Sequence, residues 1–354
     1  MKKALLLLAL LIGSTAIAGA QNVDRNELKQ LKSFLTQQSA EGTKTNAEAL
    51  KITDLNSPST WEGITIAGGH VTEIKWSGKK LAGEFSANNF AALTSVDISR
   101  NKITSASFDG DVALVTVNAY RNNLTSISLT GCKALQKLNI YRNRLTDLDI
   151  SSTPLLQTLN VSNNYFVDFS VANSANLKTL NCQGCHIESL NIDGCTALKH
   201  LYAGYNKLTS LTLVGVESLQ NINIDSNDIK TLVISGLPSL GTLLCSDNQM
   251  TSLMVRDTPT LIDLVCSYND LTSLQVSQAP QLQYVDCSYN DLTELYLDNF
   301  NFLQRVICNN NQLQILSLTF DDALRYVNCR YNQITDFRTA GSNDIQQVAC
   351  QWNY

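Results

Sequence analysis

Cysteine and histidine are the side chains through which this chain could perform nucleophilic or metal chemistry. The three histidines, His70, His186 and His200, are scattered along the sequence. Cys182-x-x-Cys185 resembles half of a zinc site, but no second CxxC or histidine pair completes it. No G-x-S-x-G, H-E-x-x-H or Walker-type loop occurs. We therefore predict no catalytic residue, no metal site and no cofactor, and a protein that is not an enzyme.

Most of the cysteines recur instead at intervals of 21 residues. Stacked neighbours of this kind would hold their Cβ atoms about 4.8 Å apart, whereas a disulfide needs about 3.8 Å. We therefore predict small, buried, reduced apolar side chains rather than disulfides. Cys182 falls in the same column, and the column proper is Cys245, Cys266, Cys287, Cys308, Cys329 and Cys350.

The same interval governs the rest of the chain, which indicates a repeat architecture. Asn occupies one position in twelve of thirteen steps, and Cys185 fills the remaining step. Aliphatic or cysteine side chains lie five and three residues before it, and another aliphatic column lies two residues after it. The Asn column is Asn101, Asn122, Asn143, Asn164, Asn206, Asn227, Asn248, Asn269, Asn290, Asn311, Asn332 and Asn353.

The unit L-x-x-L-x-(L/C)-x-x-N-x-L resembles the leucine-rich repeat, over about residues 71 to 354. Its cysteine column is similar to that of the internalin family of secreted bacterial proteins, in particular the member with 21-residue repeats and a cysteine ladder. The resemblance implies a secreted or surface protein of adhesion type. It also implies a β-dominated α/β solenoid: a right-handed horseshoe with one long parallel sheet on the concave face. On the convex face we expect short 3₁₀ or irregular turns.

Three domains are predicted. Residues 1–20 combine a cationic start, an apolar run and a small-residue cleavage pattern near Ala20-Gln21, which is typical of a signal peptide. Residues 21–60 contain leucines at helical spacing and are predicted to form a helical cap. Residues 61–354 form the repeat domain, with an atypical first turn at 61–93 and then about thirteen regular turns. We expect a secreted, periplasmic or cell-surface protein.

The formal charge of −5 argues against a nucleic-acid partner, and no apolar run after the signal peptide is long enough for membrane insertion. Outward positions of the strands carry aromatic and apolar residues, which are enriched in binding sites. A host or bacterial surface protein is the favoured partner, with a glycan as the alternative. The predicted concave-face site is Leu244, Val265, Tyr268, Tyr284, Tyr289, Ile307, Tyr326, Tyr331 and Trp352. A secondary candidate is Arg100, Tyr120, Arg121, Tyr141 and Arg142.

Overall fold

The computed structural model describes residues 23–353, so the predicted signal peptide lies outside the described residues. Helix α1 (Arg25–Leu35) begins where the Asp24 carboxylate accepts two backbone N–H groups of the first turn. Helix α2 (Asn46–Ala49) is short and begins with a capping box. A 3₁₀ turn follows at Pro58–Thr60. The N-terminal region is therefore helical before the repeats begin.

A single sheet of fifteen strands runs along the repeats. Its first two strands form an antiparallel hairpin, and all the later pairs are parallel with a register of 21 or 22 residues. The predicted long parallel sheet is thus confirmed. Its strands are Ile64–Ala67, His70–Lys75, Ser95–Asp97, Thr116–Asn118, Lys137–Asn139, Thr158–Asn160, Thr179–Asn181, His200–Tyr202, Asn221–Asn223, Thr242–Leu244, Asp263–Val265, Tyr284–Asp286, Arg305–Ile307, Tyr326–Asn328 and Gln347–Ala349.

The opposite side of each turn contains no helix within residues 62–353. It is built of turns, together with short parallel ladders of two or three strands that the sequence analysis did not predict. These ladders form because neighbouring turns stack in register there as well. Their strands are Ala82–Ser86, Lys102–Ser107, Ser126–Ser128, Asp168–Ser170, Ser189–Asn191, Thr231–Ser235, Ser252–Arg256, Ser273–Val276, Glu294–Tyr296, Ile315–Ser317 and Asp336–Arg338.

The Asn column joins each turn to the one before it. The Asn269 amide nitrogen donates to the carbonyls of Cys266 in its own turn and Cys245 in the preceding turn, both at 3.1 Å. Its Oδ1 accepts the backbone N–H of Met250 at 3.1 Å. The side chain therefore pairs backbone groups that the strand end would otherwise bury unpaired.

Cysteine replaces aliphatic residues in the core, as predicted. The column from Cys245 to Cys329 has no exposed surface, and Cys182 is equally buried. Cys185, which takes the place of an Asn, donates its thiol to the Val161 carbonyl at 3.2 Å. The expectation of burial is wrong for Cys350, which is exposed because no described turn follows to cover it.

Candidate binding surface

The outward side chains of the main sheet form what we call the sheet face. Leu244, Val265, Tyr284 and Tyr326 lie there and are half-buried. The prediction that Ile307 belongs to an exposed cluster is wrong, since this side chain is only 8% exposed. Its strand pairs with a strand on each side, so neighbouring side chains cover it.

The residue before each ladder Asn has a special backbone. It lies just after the strand, in the left-handed conformation, with φ of 54° at Tyr268 and 55° at Tyr289. This conformation is uncommon for a bulky residue. The side chain is consequently carried outward at the edge of the sheet. Exposed fractions are 55% for Tyr268, 44% for Tyr289, 51% for Tyr331 and 54% for Trp352.

These exposed rings are arranged in two stacks. Tyr268 and Tyr289 lie nearly parallel with centroids 4.3 Å apart, and Tyr331 and Trp352 lie parallel at 6.0 Å. Asn310 occupies the same position in the turn between the two stacks. The structure therefore places these predicted residues in one row along the edge, although the row is interrupted by one polar turn.

The sequence analysis missed Arg305, which lies between two predicted site residues. Its guanidinium carbon is 4.7 Å from the Tyr326 ring centroid and 5.8 Å from that of Tyr284. Both distances are within the range of cation–π attraction. The signal was available, because the three residues share one column at intervals of 21. The C-terminal half of the sheet face thus presents a cation held between aromatic rings.

The secondary candidate residues are also brought together. Tyr120 and Tyr141 stack with centroids 4.9 Å apart, and the Arg100 and Arg121 guanidinium carbons lie 5.7 and 6.0 Å from these rings. Arg142 continues the column in the next turn. All three arginines are exposed and have left-handed backbones.

The histidines remain apart from one another. His70 pairs with the buried Glu27 carboxylate at 2.8 Å, and this hydrogen bond raises the pKa of His70. His186 stacks on the exposed Tyr165, and His200 contacts the Asn221 amide oxygen at 2.8 Å. Over residues 23–353, no group of three or more His, Cys, Asp or Glu side chains could hold a metal ion. None of the helices in that range is long and apolar enough to cross a membrane.

Burial dominates the titration of the core thiols. It raises the pKa of Cys132 to about 12 and that of Cys329 to about 11. The thiolate form, which reacts and binds metals, is therefore disfavoured. Two aspartates on the side opposite the main sheet, Asp111 and Asp321, are fully buried, and each leaves Oδ2 without a hydrogen-bond partner. Burial raises their pKa values to about 8 and about 7.

Solved structures share this architecture. The leucine-rich-repeat domain of APL1B is 20% identical, with a TM-score of 0.55 over 72% of this chain and 84% of that one. The chain has the leucine-rich-repeat fold. A plant peptide hormone receptor, RGFR1, in complex with RGF2 matches with 17% identity and a TM-score of 0.52, over 78% of this chain and 57% of that one.

The internalin InlJ of Listeria monocytogenes also matches. Its functional domain is described as including a cysteine ladder; it is 24% identical, covers 71% of this chain and 68% of that one, and has a TM-score of 0.46. No protein-family model and no curated protein matches the chain. Leucine-rich-repeat solenoids are generally binding scaffolds, and the likeness establishes the fold.

Proposed function

We propose that this chain is an exported, non-catalytic binding protein that recognises another protein through the C-terminal half of the sheet face and its aromatic edge. The observation that carries the proposal is the row of exposed rings at Tyr268, Tyr289, Tyr331 and Trp352. Tyr and Trp are enriched among the residues that dominate binding energies. Export is supported by the signal-peptide pattern at residues 1–20.

Backbone conformation strengthens the case for function. A left-handed non-glycine residue is strained by roughly 1 kcal/mol or more, and such strain is concentrated at functional sites. The equivalent position holds Gly184, Asn163 and Asn310 in other turns, and these residue types tolerate the conformation well. Bulky rings at Tyr268 and Tyr289 are therefore not required by the turn itself. Recognition of a partner would account for them.

The shape of the surface favours a protein over a glycan. A sugar site needs a few aromatic side chains that converge on one place, whereas these rings lie along five consecutive turns. The half-buried apolar side chains of Leu244 and Val265 extend the surface across the sheet. RGFR1, in complex with RGF2, provides a precedent for a peptide partner on this fold.

The test is a double substitution of Tyr268→Asn and Tyr289→Asn. Asn fits the left-handed turn, as Asn310 does, so folding is preserved. A partner is first captured from the native environment and identified, and its affinity is then measured for parent and variant. We expect at least a thirty-fold loss, since a hot-spot residue contributes about 2 kcal/mol or more.

Tyr296→Asn is the matched control, because this tyrosine is similarly exposed, at 44%, but belongs to a ladder on the opposite side. Equal affinity of the double variant and the parent would refute the proposed site. Binding on a glycan array that is lost in the double variant, with no protein captured, would establish the glycan alternative.

A further inference from the structure

Charged residues on the edge of the sheet are segregated along the chain. They flank the ladder Asn, one residue before or after it, and are exposed or half-exposed. The basic pole, in the first three regular turns, consists of Arg100, Lys102, Arg121, Arg142 and Arg144. The acidic pole, in the seventh to tenth turns, consists of Asp228, Asp247, Asp270 and Asp291.

Neither pole is neutralised within the chain. Over residues 23–353, no side chain of either pole forms an ion pair. The nearest turns of the two poles, those of Arg142 and Asp228, are four turns apart, or about 19 Å. That exceeds the screening length of about 10 Å at 0.1 M salt. Each pole therefore presents its charge to an external partner.

Aromatic side chains occupy the edge between the poles. Tyr165 is 52% exposed and Tyr205 is 67% exposed. The His186 ring lies parallel to Tyr165 with centroids 6.1 Å apart. An edge that is basic at one end, acidic at the other and aromatic in the middle is complementary to itself after a two-fold rotation.

We propose that two copies of this chain dock antiparallel along this edge. The two-fold axis passes between the turns of Cys185 and Asn206. This register places Arg100 and Lys102 opposite Asp291. It also places Arg121 opposite Asp270, and Arg142 opposite Asp247 of the second copy.

The central turns fit the same register. Tyr165 faces Asp228, so its hydroxyl has a carboxylate acceptor, and His186 faces Tyr205. Ten turns give a contact about 48 Å long and about 10 Å wide. The area buried is then about 1,000 Å² in total, at the lower end for specific interfaces, and the dimer is expected to be weak and reversible.

Salt dependence separates this dimer from other self-association. The chain carries a formal charge of −5, so two copies repel overall, and association through apolar patches strengthens as salt screens that repulsion. Contact between opposite poles weakens instead. Sedimentation velocity of the full chain from 5 to 200 µM should show a monomer–dimer equilibrium at 25 mM NaCl that shifts toward monomer at 300 mM.

Charge reversal tests the register. Arg121→Glu or Asp270→Lys alone should weaken the dimer about tenfold, because each substitution alters two symmetry-related contacts. In the double variant, opposite charges face each other again, and the dissociation constant should return to within about threefold of the parent. Lys133→Glu, at an exposed site outside the edge, should leave it unchanged.

Three results would overturn the proposal: a parent chain that is monomeric throughout at 25 mM NaCl, association that strengthens with salt, or a double variant as weak as the single ones. A monomeric parent whose heparin binding is lost in Arg121→Glu would assign the basic pole to a polyanion instead. Failure of this test leaves the aromatic site untouched, because Arg121 lies outside it.

Discussion

The two buried aspartates predict an unusual pH dependence of stability. The Asp111 and Asp321 Oδ1 atoms accept the backbone N–H groups of Phe90 and Phe300 in the preceding turns, at 2.7 and 2.8 Å, whereas Oδ2 has no partner. In the same column, Cys132 and Ser342 donate to the carbonyl oxygen 24 residues earlier. A protonated aspartate can do the same, so we expect both carboxyl groups to be neutral in the folded chain.

The sign follows from where the protons are bound. The folded pKa values, about 8 and about 7, lie above the unfolded value of about 3.9, so the folded state holds the protons more tightly. Their contribution is fully present below about pH 4 and is lost as the pH rises through 7 to 8. At about 1.4 kcal/mol per pH unit, the two sites together lose about 3 to 6 kcal/mol of unfolding free energy between pH 5 and pH 8.

The assay is denaturant unfolding at both pH values, with the double variant Asp111→Asn and Asp321→Asn. Asn keeps the acceptor oxygen and has an N–H donor at every pH, so the variant should lose much less stability and exceed the parent at pH 8. Hydrogen exchange of the Phe90 and Phe300 amides should accelerate in the parent alone. Asp149→Asn is the control, because backbone hydrogen bonding lowers the pKa of this carboxyl group. Parallel pH profiles for parent and double variant would refute the reasoning.

Two further predictions concern the ladders. Asn248→Ala or Asn269→Ala should lower the unfolding free energy by about 1–3 kcal/mol, because backbone groups of two turns lose their partner; unchanged melting temperatures in both variants would contradict this role. Thiol titration of denatured, non-reduced protein should find the column from Cys245 to Cys350 free, whereas in the native state only Cys350 should react. Disulfides within the column would contradict the thiol prediction.

The repeat period accounts for most of what the sequence could predict. A fixed step of 21 residues determines which side chains stack, so the inward columns, the Asn ladder and the parallel sheet follow from spacing alone. The left-handed residue before each Asn could also have been foreseen, since Gly184, Asn163 and Asn310 occur in that column. The exposure of Ile307 and the position of Arg305 could not, because both depend on individual neighbours rather than on the period.

Asp111 and Asp321 illustrate why the remainder escaped prediction. They lie ten turns apart in one column, where Cys132, Cys195 and Ser342 also point inward. An aspartate near a turn normally indicates a solvated residue, and the period alone does not reveal that this column is buried. What the column requires is a polar side chain able to pair with the preceding turn, which Ser and Cys satisfy without titrating. An aspartate satisfies it only when protonated, so substitution within a structural ladder can introduce pH sensitivity without altering the fold.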